Sequence, residues 1–384
     1  MEEIIAYTIS DEKIILPRKN EDTIEGGAFA NREFIKKIIL PNGINAIGPR
    51  AFINCINLEE VVFNDNLKVI RDRAFAECKK LKTAILPTSL KNIGEGAFAH
   101  CGNLDNICVP PVTVIPDNCF YRCSSLENVE FSEGTEFIES NAFEYTSIKT
   151  IKLPSTLKVI GISAFSHTDL NEVTGDLSSI RTVGFDAFLD TPIYFNEDEN
   201  GIVRIGNIVI KANKTPEELS LESCLLAKGC FKDNKYIKEL ILVNCKGIND
   251  YAFEHSDIKV VQVTGDSVPI GKDIFKGCDI KIIEFDAKSM CFQNSSLAKA
   301  KIKTLFIWTE ETKFCFCSMP EAEIETLSLR INHKTIVEED AFVLANIQEL
   351  TLVGNFYRES EMYSIPDTKE LENILSIKRK KESV

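Results

Sequence analysis

Thiols, imidazoles and carboxylates are the groups able to bind metals, attack electrophiles or move protons, and the chain holds 13 cysteines, 4 histidines and 58 Asp plus Glu. Their spacing argues against all three uses. A tetrahedral zinc site takes two short-spaced pairs of Cys or His. Cys119-x-x-x-Cys123 and Cys315-x-Cys317 each offer one pair, with no second pair and no histidine at ligand spacing. His100, His167 and His255 each stand two residues after a phenylalanine, whereas His333 has different neighbours. The sequence contains no P-loop, no dinucleotide-binding glycine pattern after a strand, no G-x-S-x-G and no H-E-x-x-H. Acidic residues are scattered, and no pair stands out for acid-base work. The expectation is no enzyme, no metal and no cofactor.

The phenylalanines explain the histidines. A small residue followed by Phe recurs at Ala28-Phe29, Ala51-Phe52, Ala74-Phe75, Ala97-Phe98, Cys119-Phe120, Ala142-Phe143, Ala164-Phe165 and Ala187-Phe188, about 22 or 23 residues apart. After a gap it returns at Cys230-Phe231, Ala252-Phe253, Ile274-Phe275, Cys291-Phe292, Cys315-Phe316 and Ala341-Phe342. A second ladder keeps step with it, from Ile35, Leu58, Leu81 and Leu104 to Ile302, Ile324 and Ile347. Leu58 to Phe63 ends in period-2 alternation, the pattern of a half-buried strand. The stretch I-G-x-x-A-F-x-x-C that precedes it suits a short helical or irregular turn dropping Phe and Cys inward. One strand and one turn cannot enclose a core, but stacked copies can, with parallel strands about 4.8 Å apart. Spaced three or four coils apart, roughly 15 to 20 Å at that rise, the three histidines cannot share a metal or a proton.

The consensus I-G-x-x-A-F-x-x-C-x-x-L-x-x-V-x-L-P resembles the leucine-rich repeat of the BspA type over roughly residues 13 to 352. The resemblance implies an α/β fold, a right-handed leucine-rich-repeat solenoid. Parallel strands line one face, short helical or irregular turns the other, and one β-hairpin is inserted. It also implies a role in recognition, since the best-known members are cell-surface proteins that bind host matrix components or other cells. No catalytic residue carries over.

Cys55, Cys78, Cys101, Cys123 and Cys278 follow the repeat Phe by three residues, where other copies have Thr146, Thr168, Thr191, Asn234 or Ser256. A site shared by these types wants a small side chain with a weak hydrogen-bonding group facing backbone. Buried, reduced thiols are expected, and with them a reducing compartment. The start M-E-E-I-I-A-Y-T-I-S has no basic n-region or long apolar run, so the residues alone predict a cytoplasmic protein, against the cell-surface or secreted location implied by the family if a leader is missing. No stretch reaches the length of a membrane span. A net charge of −14 disfavours nucleic acid and anionic lipid as partners.

Five segments are expected: residues 1–27 as an N-terminal cap and incomplete first coil, 28–190 as regular repeats, 191–222 as a β-hairpin insertion, 223–352 as divergent repeats, and 353–384 as a C-terminal cap helix with a basic tail. The hairpin is read from Ile202-Val203-Arg204-Ile205 and Ile208-Val209-Ile210 flanking Gly206-Asn207, a two-residue loop. The cap helix is read from the capping-box spacing of Asp367 to Glu370 ahead of Leu371, Ile374 and Leu375.

What remains is surface. The outward strand positions form a row, Ile39, Val62, Ile85 and Cys108, continuing as Glu130, Lys152 and Thr174, whose apolar part forms a strip that could receive a partner. Phe306 and Trp308 offer a second patch. Against this, β-branched residues support strand pairing wherever they point. The companion row Lys37, Glu60, Thr83, Asn106, Asn128 and Thr150 is polar. The expected function is non-catalytic recognition of a protein through the strand-lined face, the family resemblance implying a partner of the host matrix or a cell surface. An intracellular scaffold is the alternative. A hidden enzyme or metal protein would require Cys291, Cys315, Cys317 and His333 to converge, which is not expected.

Overall fold

The structure, a computed structural model, describes residues 8–10, 13–15, 22–330, 334–338 and 340–353. The chain forms two compact units, Met1–Asn196 and Glu197–Val384. The terminal helix expected beyond residue 353, and most of the expected N-terminal cap, lie outside the described residues.

In the first unit each coil contributes two short strands. The first ladder runs in parallel register through Lys13–Ile15, Lys37–Ile39, Glu60–Val62 and Thr83–Ala84. Asn106–Val109 pairs with Asn128–Phe131, and Thr150–Lys152 with Glu172–Thr174, in the same parallel sense. The second ladder comprises Thr23–Ile24, Ala46–Ile47, Val69–Ile70 and Asn92–Ile93, then Val114–Ile115, Phe137–Ile138, Val159–Ile160 and Thr182–Val183. These pairs occupy the positions just before the I-G turn, where only one face of strands was expected. Two-residue strands leave no alternation for a sequence to display. The glycine after them is needed because coils press together: a Cβ on Gly94 would lie 2.3 Å from the Asp72 backbone nitrogen.

The Phe-bearing turn is irregular, which corrects the α/β description. Alternate N–H groups bond to the next coil, Phe52 N–H donating to the Ala74 carbonyl at 2.8 Å and Phe75 N–H to Ala97 at 2.8 Å, while those between them reach back only three residues, as Ile53 N–H does to Arg50 at 3.2 Å. A helix needs those same donors for its own i−4 carbonyls. Left-handed residues two before and two after the Phe bend each turn, as at Arg50 (φ 55°) and Asn54 (φ 57°). Among the described residues the only helical element is the four-residue 3₁₀ turn Pro192–Phe195. Inside, Phe29, Phe52, Phe75, Phe98, Phe120 and onward to Phe188 form one column of near-parallel rings, with centroids 5.0 to 5.6 Å apart.

The second unit begins with Ile202–Ile205 antiparallel to Ile208–Ala212. Ile208 and Val209 also pair in parallel with Leu225 and Leu226, which pair in turn with Gly247 and Ile248. The expected hairpin forms, and its second strand is also a rung of the parallel ladder, so it lies within the stack. The first-face ladder runs through Glu218–Glu222, Glu239–Val243, Val260–Ile270, Asp279–Phe292, Lys301–Ile307, Glu323–Arg330 and Asn346–Val353. Ile280, Ile302, Ile324 and Ile347 stand in register as the sequence ladder requires.

The C-terminal Phe landmarks are a different matter. Phe292 pairs with Ile270 and Phe314, so Phe292 and Phe314 belong to the second-strand column that holds Ile248. Phe316 is 49% exposed. The turn positions of these coils are filled by Leu297 and Met319, both 0% exposed. Left-handed pairs flank each of them, Ser295 and Lys299 around Leu297, and Cys317 and Glu321 around Met319. With Leu297 and Met319 in place, the steps from Phe275 to Phe342 are 22, 22 and 23 residues.

Candidate functional site

The strand-lined face of the first unit carries the predicted row. Ile39 stands opposite Val62 in the ladder, and Cys108 opposite Glu130. Ile39 is half-buried, Val62 is 40% exposed, Ile85 79% exposed, and Cys108 is exposed. Beside this strip the companion row is polar, with Lys37 and Glu60 in an ion pair at 2.6 Å. The Cys108 thiol lies 3.6 Å from the Glu130 carboxylate; partial burial and that carboxylate raise its pKa. Phe306 and Trp308, both half-buried, stack at 5.8 Å in the second unit, where Phe306 is flanked by Glu284 and Ser328. The two patches belong to different units.

The recurrent small position after the Phe works as the residue types suggest. Cys55, Cys78, Cys101, Cys123 and Cys278 each donate a thiol hydrogen bond to a Phe carbonyl one coil back, at 2.9 to 3.3 Å. Thr146, Thr168 and Thr191 donate instead to the Phe carbonyl of their own coil, at 2.6 to 2.9 Å. Burial pushes the Cys55 thiol up to about 11 and the Cys78 and Cys101 thiols well above the usual value. All 13 cysteines are free, and nine of them are buried.

Two of the C-terminal cysteines do meet. The Cys291 and Cys315 sulfurs lie 3.8 Å apart, both half-buried. Burial, followed by the Cys291 thiol, pushes Cys315 up to about 11. His333, the fourth member of that hypothetical site, lies outside the described residues. Among the described residues no three Cys, His, Asp or Glu side chains stand together in a metal-binding group.

One feature escaped the sequence reading except for the phase of its histidines. The left-handed position two residues after each Phe forms a side-chain ladder along the turn edge of the first unit. Asn54 donates to Asn31 at 2.9 Å. His100 lies 4.0 Å from the Glu77 carboxylate. Arg122 holds the Tyr121 hydroxyl at 2.9 Å and lies 4.6 Å above the Tyr145 ring. Tyr145 stacks on His167 at 4.5 Å, and His167 lies 3.2 Å from the Asp190 carboxylate. Arg122 and Tyr145 thus separate His100 from His167. In the second unit the column one residue after the Phe is charged: Glu254, with its side chain only 8% exposed, sits between Lys232 at 2.7 Å and Lys276 at 3.3 Å.

Among the described residues no helix is long and apolar enough to cross a membrane. No curated protein matches the chain. Among solved structures, it is similar to a leucine-rich cell surface protein of Faecalibacterium prausnitzii A2-165, at 21% identity over 94% of this chain and 90% of that one, with a TM-score of 0.42. A leucine-rich repeat protein of T. pallidum is 23% identical over 48% of this chain and 84% of that one, with a TM-score of 0.33. The pneumococcal vaccine antigen PcpA is 16% identical over 84% and 80% of the two chains, with a TM-score of 0.31. The sequence pattern of the BspA type leucine rich repeat region, in six copies, matches residues 4–123, 110–217, 199–281 and 246–363. With nearly the whole repeat array matched, the chain belongs to the BspA-type leucine-rich repeat family.

Proposed function

We propose that this protein is a recognition module that binds a protein partner through the strand-lined face of its first unit, without catalysis. The observation that carries the reading is the exposure of Val62 (40%) and Ile85 (79%) in a strip that continues to Cys108. Neighbouring apolar side chains on a solvent face cost solubility and return nothing to the core, so they mark a contact surface. By family, the partner is a protein of the host matrix or of a cell surface, and the working place is outside the cell. Free, buried thiols favour a second reading, an intracellular scaffold for an endogenous partner.

The test uses the intact chain as bait against separate cytosolic and extracellular fractions, beside a Val62→Glu, Ile85→Glu double variant. The expected result is a partner retained by the wild type and lost by the variant, from the extracellular fraction. A partner held equally by both would remove this face from the interaction, and one recovered from cytosol alone would favour the scaffold.

A further inference from the structure

A groove with a volume of about 750 Å³ runs across five coils of the first unit, along the edge beside the ladder of Glu77, His100, Arg122, Tyr145 and His167. Its floor is the column four residues after each Phe. In the three middle coils that column reads Gly102, Ser124 and Ser147, and the longer Lys79 and Asp169 close its two ends. Four coil steps of about 4.8 Å make it roughly 19 Å long.

The lining sets the chemistry of the occupant. It contains no Leu, Ile or Val side chain, and its apolar surface includes the ring of Tyr145, which is 37% exposed. The charges of Lys79 and Arg122 balance those of Glu77 and Asp169, which favours neither a polyanion nor a polycation. Along the edge, the N–H groups of His100, Arg122, Tyr145 and His167 all bond to the next coil, at 2.7 to 3.1 Å. An extended peptide therefore finds no open strand edge to join.

What the groove does present is a set of fixed hydrogen-bonding groups. Ser147 Oγ donates its hydrogen to the Ser124 carbonyl at 2.9 Å, and Ser124 Oγ donates to Gly102 at 3.3 Å. Their lone pairs are left to accept from a ligand hydroxyl. The Asp169 carboxylate adds acceptors and the Asn103 amide adds both kinds of group. Tyr145 is clamped between Arg122 and His167, so little ordering remains to be done on binding.

We propose that this groove binds a neutral, hydroxyl-rich chain, an oligosaccharide of three to four residues whose repeat is about one coil rise. This site is a separate column of residues from the strand-face row and stands independently of it. The test is calorimetric titration of the full chain with cellohexaose, maltohexaose and N-acetylchitohexaose, beside a sulfated heparin hexasaccharide. Two variants are compared, Ser124→Gln with Ser147→Gln, which fills the exposed floor with neutral side chains, and Asp169→Ala, which removes an acceptor by truncation. At least one neutral hexasaccharide should bind the wild type and weaken tenfold or more in each variant, with circular dichroism unchanged. If the double variant does not fold, Asp169→Ala carries the comparison alone. No binding by any neutral hexasaccharide, binding indifferent to the variants, or tighter binding of the sulfated one would overturn the proposal.

Discussion

The Cys101 thiol donates to the Phe75 carbonyl of the preceding coil at 3.2 Å, while the Cys78 N–H donates to the same oxygen at 3.3 Å. The Phe52, Phe75 and Phe98 carbonyls thus each receive one bond from their own turn and one from the next. Cys101→Ala removes the second donor and leaves a small void, and should cost about 1 to 3 kcal/mol. Cys101→Thr, which keeps a donor, should cost less. Urea midpoints measured on both variants check this.

The same burial gives a pH dependence. Burial raises the Cys55 thiol from 9.0 to about 11, so the folded state holds its proton over a range where the unfolded chain loses it. Between those two values the folded state binds more protons, and stability falls as pH rises. Below pH 9 this contribution is intact; through pH 11 it is lost. A stability profile of the wild type from pH 8 to 11 should slope downward, and a Cys55→Thr variant should slope less.

Glu254 slopes the other way. Burial opposes its ionisation, but hydrogen bonds and charge from Lys232 and Lys276 win and hold its carboxyl below the usual value. Its contribution is present above the unfolded carboxylate range and is lost as pH falls through the lowered folded value. Glu254→Gln, measured at pH 7, should destabilise by about 1 to 3 kcal/mol and flatten the acid limb of the stability profile.

How much of this was legible follows from how each position advertises itself. The thiol position could be read because Cys, Thr, Ser and Asn all occupy it, and the isoleucine ladder because one residue class repeats at one period. The second strand ladder could not, since Ala46-Ile47 and Val69-Ile70 are two residues long and carry no alternation. The turn-edge ladder holds Glu77, His100, Arg122, Tyr145, His167 and Asp190, which share a backbone conformation and not a side-chain type. Only its histidines were visible. The C-terminal register failed because Phe292 and Phe316 imitate the landmark while Leu297 and Met319 fill its place. The outward strip Ile39, Val62, Ile85 and Cys108 follows from strand alternation, whereas the groove beside Arg122 required coil stacking to exist at all.

That register can be tested directly. Leu297 and Met319 are fully buried in the turn column, and Phe316 is half exposed. Leu297→Ala should cost about 2 to 5 kcal/mol, while Phe316→Ser should stay within about 0.5 kcal/mol of the wild type. The opposite order, measured by chemical denaturation, would restore Phe316 to the core. Ala97, also fully buried, tests overpacking in the regular half: Ala97→Leu should cost about 1 to 3 kcal/mol.

Cys291 and Cys315 make the remaining prediction, because thiols 3.8 Å apart on neighbouring rungs need only a small movement to bond. Diamide accepts two electrons and two protons, so each pair oxidised yields one disulfide and one molecule of the reduced hydrazine. Attack requires a thiolate. With Cys315 pushed up to about 11, that form is scarce at neutral pH, and crosslinking should quicken as pH rises toward that value. The nine buried cysteines lie behind packed coils and should stay reduced on the same timescale. Peptide mapping after diamide treatment should recover one linked pair, 291 with 315, and Cys315→Ser should abolish it. A native protein that forms its first disulfide elsewhere would show that neighbouring rungs open more readily than their packing implies.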